Sequence, residues 1–151
     1  LYINNYIYVK KENKMNNEVF ELYKKDSLAK FLDTLKTKPE QKFVYVLQHP
    51  PANMNILSAS EFGQLVICLP MLSQIVFSSS PFIHKMSKNL RDFRKQDYVL
   101  CLGDPAIIAL STPIISETTN GMFNLLKWDK REYKYYPVSI DYYQKDDIAI
   151  D

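Results

Sequence analysis

The chain has 151 residues, a hydrophobic fraction of 46%, 3 Gly and 2 Cys. That is one domain of ordinary size with enough apolar content for a core, and it excludes a disordered chain, a Gly-rich linker, a collagen-like repeat and a disulfide scaffold. No apolar run approaches the ~20 residues of a membrane-spanning helix, and a formal net charge of +2 is too small to argue for nucleic acid by itself.

The chain opens on Leu1, and its first Met is Met15, preceded by Lys10, Lys11, Glu12, Asn13 and Lys14. Those five residues can be encoded by AAA AAG GAG AAT AAA, which contains the bacterial ribosome-binding string AAGGAG just before an ATG. Residues 1–14 are therefore expected to be translated upstream DNA, with Met15 as the native start. The other reading is a short N-terminal strand, Tyr2–Val9, with alternating aromatic and aliphatic residues. Residues 1–14 hold three Lys and one Glu, so the chain from Met15 onward is neutral. The abundance of Lys, Asn, Ile and Tyr, all with A/T-rich codons, points to an AT-rich genome.

Residues 15–42 read as an N-terminal helical segment. Leu28, Phe31, Leu32 and Leu35 fall on one helical face, with Asp26 or Ser27 as the cap and Pro39 beyond the end. Val19, Phe20 and Leu22 form a short strand or an earlier turn. The α/β core is expected over 43–143. Phe43–Gln48 is an apolar, β-branched strand stopped by His49-Pro50-Pro51, and Ala52–Ser60 is a loop. Leu65–Leu69 has no alternation, as in a strand buried on both faces. Ile75–Phe77 reads as a short edge strand.

Ser80 and Pro81 signal a helix start. Phe82, Met86, Leu90 and Phe93 line one stripe of a helix over 82–95, and Lys85, Lys88, Arg91, Arg94 and Lys95 form a solvated basic face. Tyr98–Leu102 is the second continuous apolar strand. Gly103-Asp104-Pro105 turns at once into a helix over Ala106–Ser116, with Asp104 as cap and Pro105 in the first turn. That helix is apolar nearly all round and is expected to be central, with Pro113 ending or kinking it. Asn120-Gly121 marks a turn. Met122–Trp128 and Tyr133–Ile140 make an antiparallel hairpin, with Pro137 placing the second strand at an edge or a bulge. Residues 144–151 form an acidic tail expected to fray.

The assembled expectation is a single small α/β domain. It has a mixed sheet of about five strands, a βαβ unit, a C-terminal antiparallel hairpin and an N-terminal amphipathic helix. The expected core is Val44, Val46, Leu65, Ile67, Val99, Cys101, Ile107, Leu110, Leu125 and Leu126.

From Phe43 to Asp141 the chain resembles a group of small proteins encoded by tailed bacteriophages. The likeness is carried by Ser60–Pro70, Leu90–Pro105 with its Gly-Asp-Pro turn, Asn120-Gly121, and Leu125–Asp129 with Tyr135, Tyr136 and Pro137. An Arg common in that group after the Asn-Gly pair is replaced here by Met122. The resemblance implies an origin, not an activity.

No catalytic residue, metal or cofactor is assigned. His49, His84, Cys68 and Cys101 have no ligand spacing, and both thiols are expected to be buried and free, which suits a reducing cytoplasm. Asp104, Asp129 and Asp141 each follow a strand, but the last two lie at opposite ends of one hairpin, which argues against a Mg²⁺ triad. The Gly103–Asp104 turn lacks a phosphate-binding glycine pattern and places a carboxylate where a phosphate would sit. Ser78, Ser79 and Ser80 lack a nucleophile context, and His84 has no orienting acid.

Three functional readings follow. The first is a non-catalytic accessory or interaction protein, with a phage or host protein or a second copy of itself as partner, no membrane, and a location in the host cytoplasm or on the virion. The second is a single-stranded nucleic-acid-binding module using the hairpin 122–140, where Lys127, Lys130, Arg131 and Lys134 interleave with Trp128, Tyr133, Tyr135 and Tyr136, aided by the basic helix. The third is an enzyme with its site at the Gly103–Asp104 turn.

Overall fold

The computed structural model of the protein describes residues 19–52 and 54–144. The expectations for residues 1–14 and for the tail beyond Gln144 fall outside that range. In chain order the elements are β1 (Phe20–Glu21), α1 (Lys25–Thr37), β2 (Phe43–Gln48), a 3₁₀ turn (Leu57–Glu61), β3 (Gln64–Leu69), α2 (Ser80–Asn89), β4 (Tyr98–Leu100), α3 (Pro105–Thr118), β5 (Met122–Asp129) and β6 (Lys134–Asp141). They build one mixed sheet in the order β1-β3-β2-β4-β5-β6. The first five strands run parallel, and β6 pairs antiparallel with β5 to close the C-terminal hairpin.

The pleat divides the core in two. Phe43, Tyr45, Leu47, Val66, Cys68, Val99 and Phe123 point to one face, where Phe31 of α1, Met86 of α2, and Ile107 and Ile115 of α3 cover them. Val44, Val46, Leu65, Ile67, Leu100 and Leu126 point to the other, where Ile56 and Ala59 of the 3₁₀ segment cover only part of the sheet. Chirality explains the split. Parallel crossovers are right-handed. The connections β1→β2, β3→β4 and β4→β5 all advance the same way across the sheet, so their helices share one face. Only β2→β3 steps back, so its connection must cross the opposite face.

Several expectations are corrected. The segment 52–60 is not wholly a loop, since Leu57 to Ser60 belong to the 3₁₀ turn. Ile75–Phe77 is not a strand: both sheet edges are occupied by β1 and β6, and the Ile75 N–H bonds to the Asp104 carboxylate at 3.3 Å instead of joining a ladder. Asp26 and Ser27 do not cap α1, which starts at Lys25. The Ser27 hydroxyl instead accepts the Glu21 N–H at 2.6 Å and ties β1 to the helix. Likewise Ser80 is the first residue of α2, preceded by Ser79 with no side-chain cap. That helix ends at Asn89, so Arg91, Arg94 and Lys95 are not on it.

β4 stops at Leu100, where its pairing with β5 ends, and so Cys101 is half-buried. α3 is not central. Only Ile107, Ser111 and Ile115 are buried, one stripe at four-residue spacing against the sheet, and this places Leu110 on a half-buried flank. Leu125, next to the edge strand, is also half-buried. Pro113 does not end α3, which runs on to Thr118. Ile115, packed in the core beyond it, outweighs the one lost backbone hydrogen bond. Asn120 in the left-handed region and a Gly121 N–H to Ser116 C=O bond of 2.7 Å then terminate the helix.

The amino ends of β2 and β4 are stapled by one ion pair. Asp97 is fully buried. Its carboxylate accepts the Phe43 N–H at 3.0 Å, the Arg94 N–H at 3.0 Å and the Arg94 guanidinium at 3.1 and 3.2 Å. Arg94 also donates to the carbonyls of Pro39 and Gln41 at 2.7 and 2.6 Å and lies over the Phe43 ring. It is a structural group, not part of a solvated basic face.

Removing Asp97 strands this guanidinium, so Asp97→Ala should cost about 3–5 kcal/mol in urea unfolding. Burial pushes the Asp97 carboxyl above its ordinary value, and Arg94 with the Phe43 N–H reverses only part of that shift. A pKa raised by folding stabilises fully below the unfolded value of ~3.9, and that stability is lost as pH rises through the folded value. The deficit of Asp97→Asn relative to wild type is therefore largest in acid and narrows toward neutral pH, as a pH series of urea midpoints would read.

Tyr45 carries the opposite kind of polar group. Its ring packs between Phe31 and Phe93, and its buried hydroxyl has no hydrogen-bond partner among the described residues. Tyr45→Phe should leave the thermal midpoint unchanged or raise it, by up to the ~1–3 kcal/mol that an unsatisfied buried hydroxyl costs.

Candidate functional site

In open parallel sheets, ligands bind outside the carboxyl ends of the strands, where neighbouring connections depart to opposite faces. Here that point lies between β2 and β4. The chain leaving β2 crosses one face through the 3₁₀ segment, and the chain leaving β4 crosses the other through α3. A crevice of about 620 Å³ opens there, lined by Gln48–Pro51 and Met54 after β2, Met71–Gln74 after β3, and Leu102–Pro105 after β4.

Gln48 builds it. Its side chain is almost wholly buried. The amide nitrogen donates to the carbonyls of Met71 at 2.8 Å and Ser73 at 2.6 Å, and the amide oxygen accepts the Asp104 N–H at 2.8 Å. One side chain thus holds three strand ends together. Gly103 has a φ of 121°, and a Cβ there would lie 2.6 Å from the Gln48 Cβ. Backbone conformation and close approach both require glycine.

Asp104 is the cap expected from sequence, and more. One carboxylate oxygen accepts the Ala106 N–H at 2.8 Å, and the other reaches Ile75. The same carboxylate anchors the β3–α2 connection. Pro105 opens α3. His49 contributes a polar wall. Its Nδ1 lies 2.9 Å from the Pro50 carbonyl, which only accepts, so Nδ1 donates there. Sequence reasoning reached Gly103, Asp104 and Pro105 but missed Gln48 and His49 as site residues. The available signal was a Gln ending a fully apolar strand just before His-Pro-Pro.

The hairpin residues divide between faces. Register pairs Trp128 with Tyr135 and Lys127 with Tyr136. Tyr135 is buried and donates its hydroxyl to the Asn55 carbonyl at 2.6 Å, which fastens the 3₁₀ segment to the sheet. Trp128 packs edge-on against Tyr135 and Tyr133, with ring centroids 4.9 and 6.3 Å apart. Lys127, Lys134 and Tyr136 lie on the helix side, while Lys130 and Arg131 are in the exposed turn. Tyr136 thus shares a side with Lys127 and Lys134, whereas Trp128 and Tyr135 lie on the other side, and Tyr133, 79% exposed, stands beside the turn that carries Lys130 and Arg131. The two thiols are free, and burial pushes both above their ordinary range. No described helix is long and apolar enough to cross a membrane.

The model of the Phage Pam3 gp32-like protein family matches residues 42–142, two thirds of the chain. The chain belongs to this family. The matched span runs from the residue before β2 to the residue after β6, so it holds both the crevice and the hairpin. Comparisons with curated proteins and with solved structures gave no match.

Asp104→Ala should lower stability by ~0.5–2 kcal/mol and Asp104→Asn by much less, because Asn caps nearly as well. A thermal-melt pair reads this directly. If Asn costs as much as Ala, the carboxylate acts through its second oxygen, which holds the Ile75 N–H, and its charge, and not through the cap.

Proposed function

We propose that this phage-family protein is a non-catalytic accessory that works by binding a partner protein, and that its contact surface is the segment between β3 and α2. One observation carries this reading. Phe77 is 100% exposed, Leu72 92% and Val76 65%. Three large apolar side chains in water on one short segment are characteristic of interaction surfaces and not of a solvated loop. Met71, Met54 and Ile83 are also exposed. The segment is anchored at Ser73 by Gln48 and at Ile75 by Asp104, so its apolar residues project from a held backbone. Lys85 and Lys88 on the exposed side of α2 favour a partner with an acidic rim.

The test is capture from phage-infected cells with wild type and with the double variant Leu72→Ser/Phe77→Ser. Substitutions at such exposed positions should change stability by no more than ~0.5 kcal/mol. A partner retained by wild type and lost by the folded double variant is the expected result. A partner held equally by both would place the contact elsewhere.

The second reading, single-stranded nucleic acid on the hairpin, draws its support from Tyr133 standing exposed beside Trp128, Lys130 and Arg131. It predicts oligonucleotide binding that weakens with salt and is abolished by Tyr133→Ala with Arg131→Ala.

A further inference from the structure

We propose that the crevice at the carboxyl ends of β2, β3 and β4 is a binding site for a small organic cation, an amine or amidine carried on an apolar ring. Its volume of about 620 Å³ lies within the usual ~300–1,000 Å³ of small-molecule sites. It is also held in shape in advance. The Gln48 amide spans all three walls with hydrogen bonds of 2.6 to 2.8 Å, so a ligand would not have to order them.

The lining chemistry selects the charge. Among the described residues no Lys or Arg borders the crevice. Among the described residues that line it, the one carboxylate is Asp104, which is only half-buried. Each carboxylate oxygen takes one backbone N–H, from Ala106 and from Ile75, and each keeps a further acceptor position. An anion would meet this carboxylate where other α/β proteins offer bare helix N–H groups. Pro50, Pro51, Met71, Leu102 and Pro105 supply apolar walls against which a ring would pack.

Three probes of one shape separate the alternatives: benzamidinium, neutral benzamide and benzoate, titrated into the full chain and followed by amide chemical shifts. Benzamidinium is expected to move the amides of Gly103, Asp104 and Ala106, with benzamide weaker and benzoate inert. Asp104→Asn, which keeps the cap on Ala106 but gives up the acceptor for the Ile75 N–H, should weaken benzamidinium about tenfold, to the level of benzamide, with only a small drop in the thermal midpoint. Phe77→Ser should leave benzamidinium binding intact, which distinguishes this site from the partner surface beside it. The proposal is overturned if benzoate binds as well as benzamidinium, if Asp104→Asn retains full affinity, or if none of the probes shifts the crevice amides.

Discussion

Right-handed crossover is the constraint on which the rest depends. A parallel strand that advances across the sheet must send its connection over one face, and a strand that steps back must send it over the other. Three of the four parallel connections advance, and β2→β3 alone steps back. This single reversal gathers α1, α2 and α3 on one side and sends residues 49–63 to the other. It also parts the chain above β2 and β4, and the crevice is that parting. Fold and candidate site are two consequences of one topological choice.

The two ends of the central strands are closed by different chemistry. At the amino ends a buried charge, Asp97, is surrounded by N–H donors and a guanidinium. At the carboxyl ends a neutral amide, Gln48 at the end of β2, bridges the two loops that follow β3 and β4. A buried carboxylate needs a cation and several donors to offset its desolvation, and so the amino end is locked. A neutral amide needs only donors and acceptors, which loops supply, and this leaves room beside it. The same logic leaves Tyr45 as an exception, a buried hydroxyl among aromatic rings on the helix face.

Membership in the Phage Pam3 gp32-like family supplies an origin. The apolar residues of 71–77 stand in water beside a preformed crevice, whereas the hairpin uses Tyr135 to hold the 3₁₀ segment and spreads its cations over two sides. The half-uncovered sheet face is a product of the same asymmetry, because one short 3₁₀ segment cannot cover what three helices cover on the other side.

What was legible in the sequence is what depends on neighbours in the chain. Continuous apolar runs marked β2 and β3, the helical period of apolar residues marked α1, and the Asp-Pro pair marked the start of α3. Asn-Gly marked the end of α3, and the spacing of two strands marked the hairpin. These signals are local because caps, turns and amphipathic faces are satisfied within a few residues. Where local preference and tertiary context disagreed, context won. Pro113 is carried inside a helix packed on the sheet, Ile75–Phe77 is barred from the sheet because both edges are filled, and Arg94 is drawn from a presumed solvent face to a carboxylate it could reach only after the turn that follows α2. The order of the parallel strands could not be read, since every parallel pairing joins residues far apart in sequence, and with it the crevice and the role of Gln48 stayed hidden. The sequence by itself determined the main strands and helices and the cap of α3. Only the tertiary structure decided which strands became neighbours, and the site exists because of that neighbourhood: Gln48, Ser73 and Asp104 meet only when β2 lies between β3 and β4.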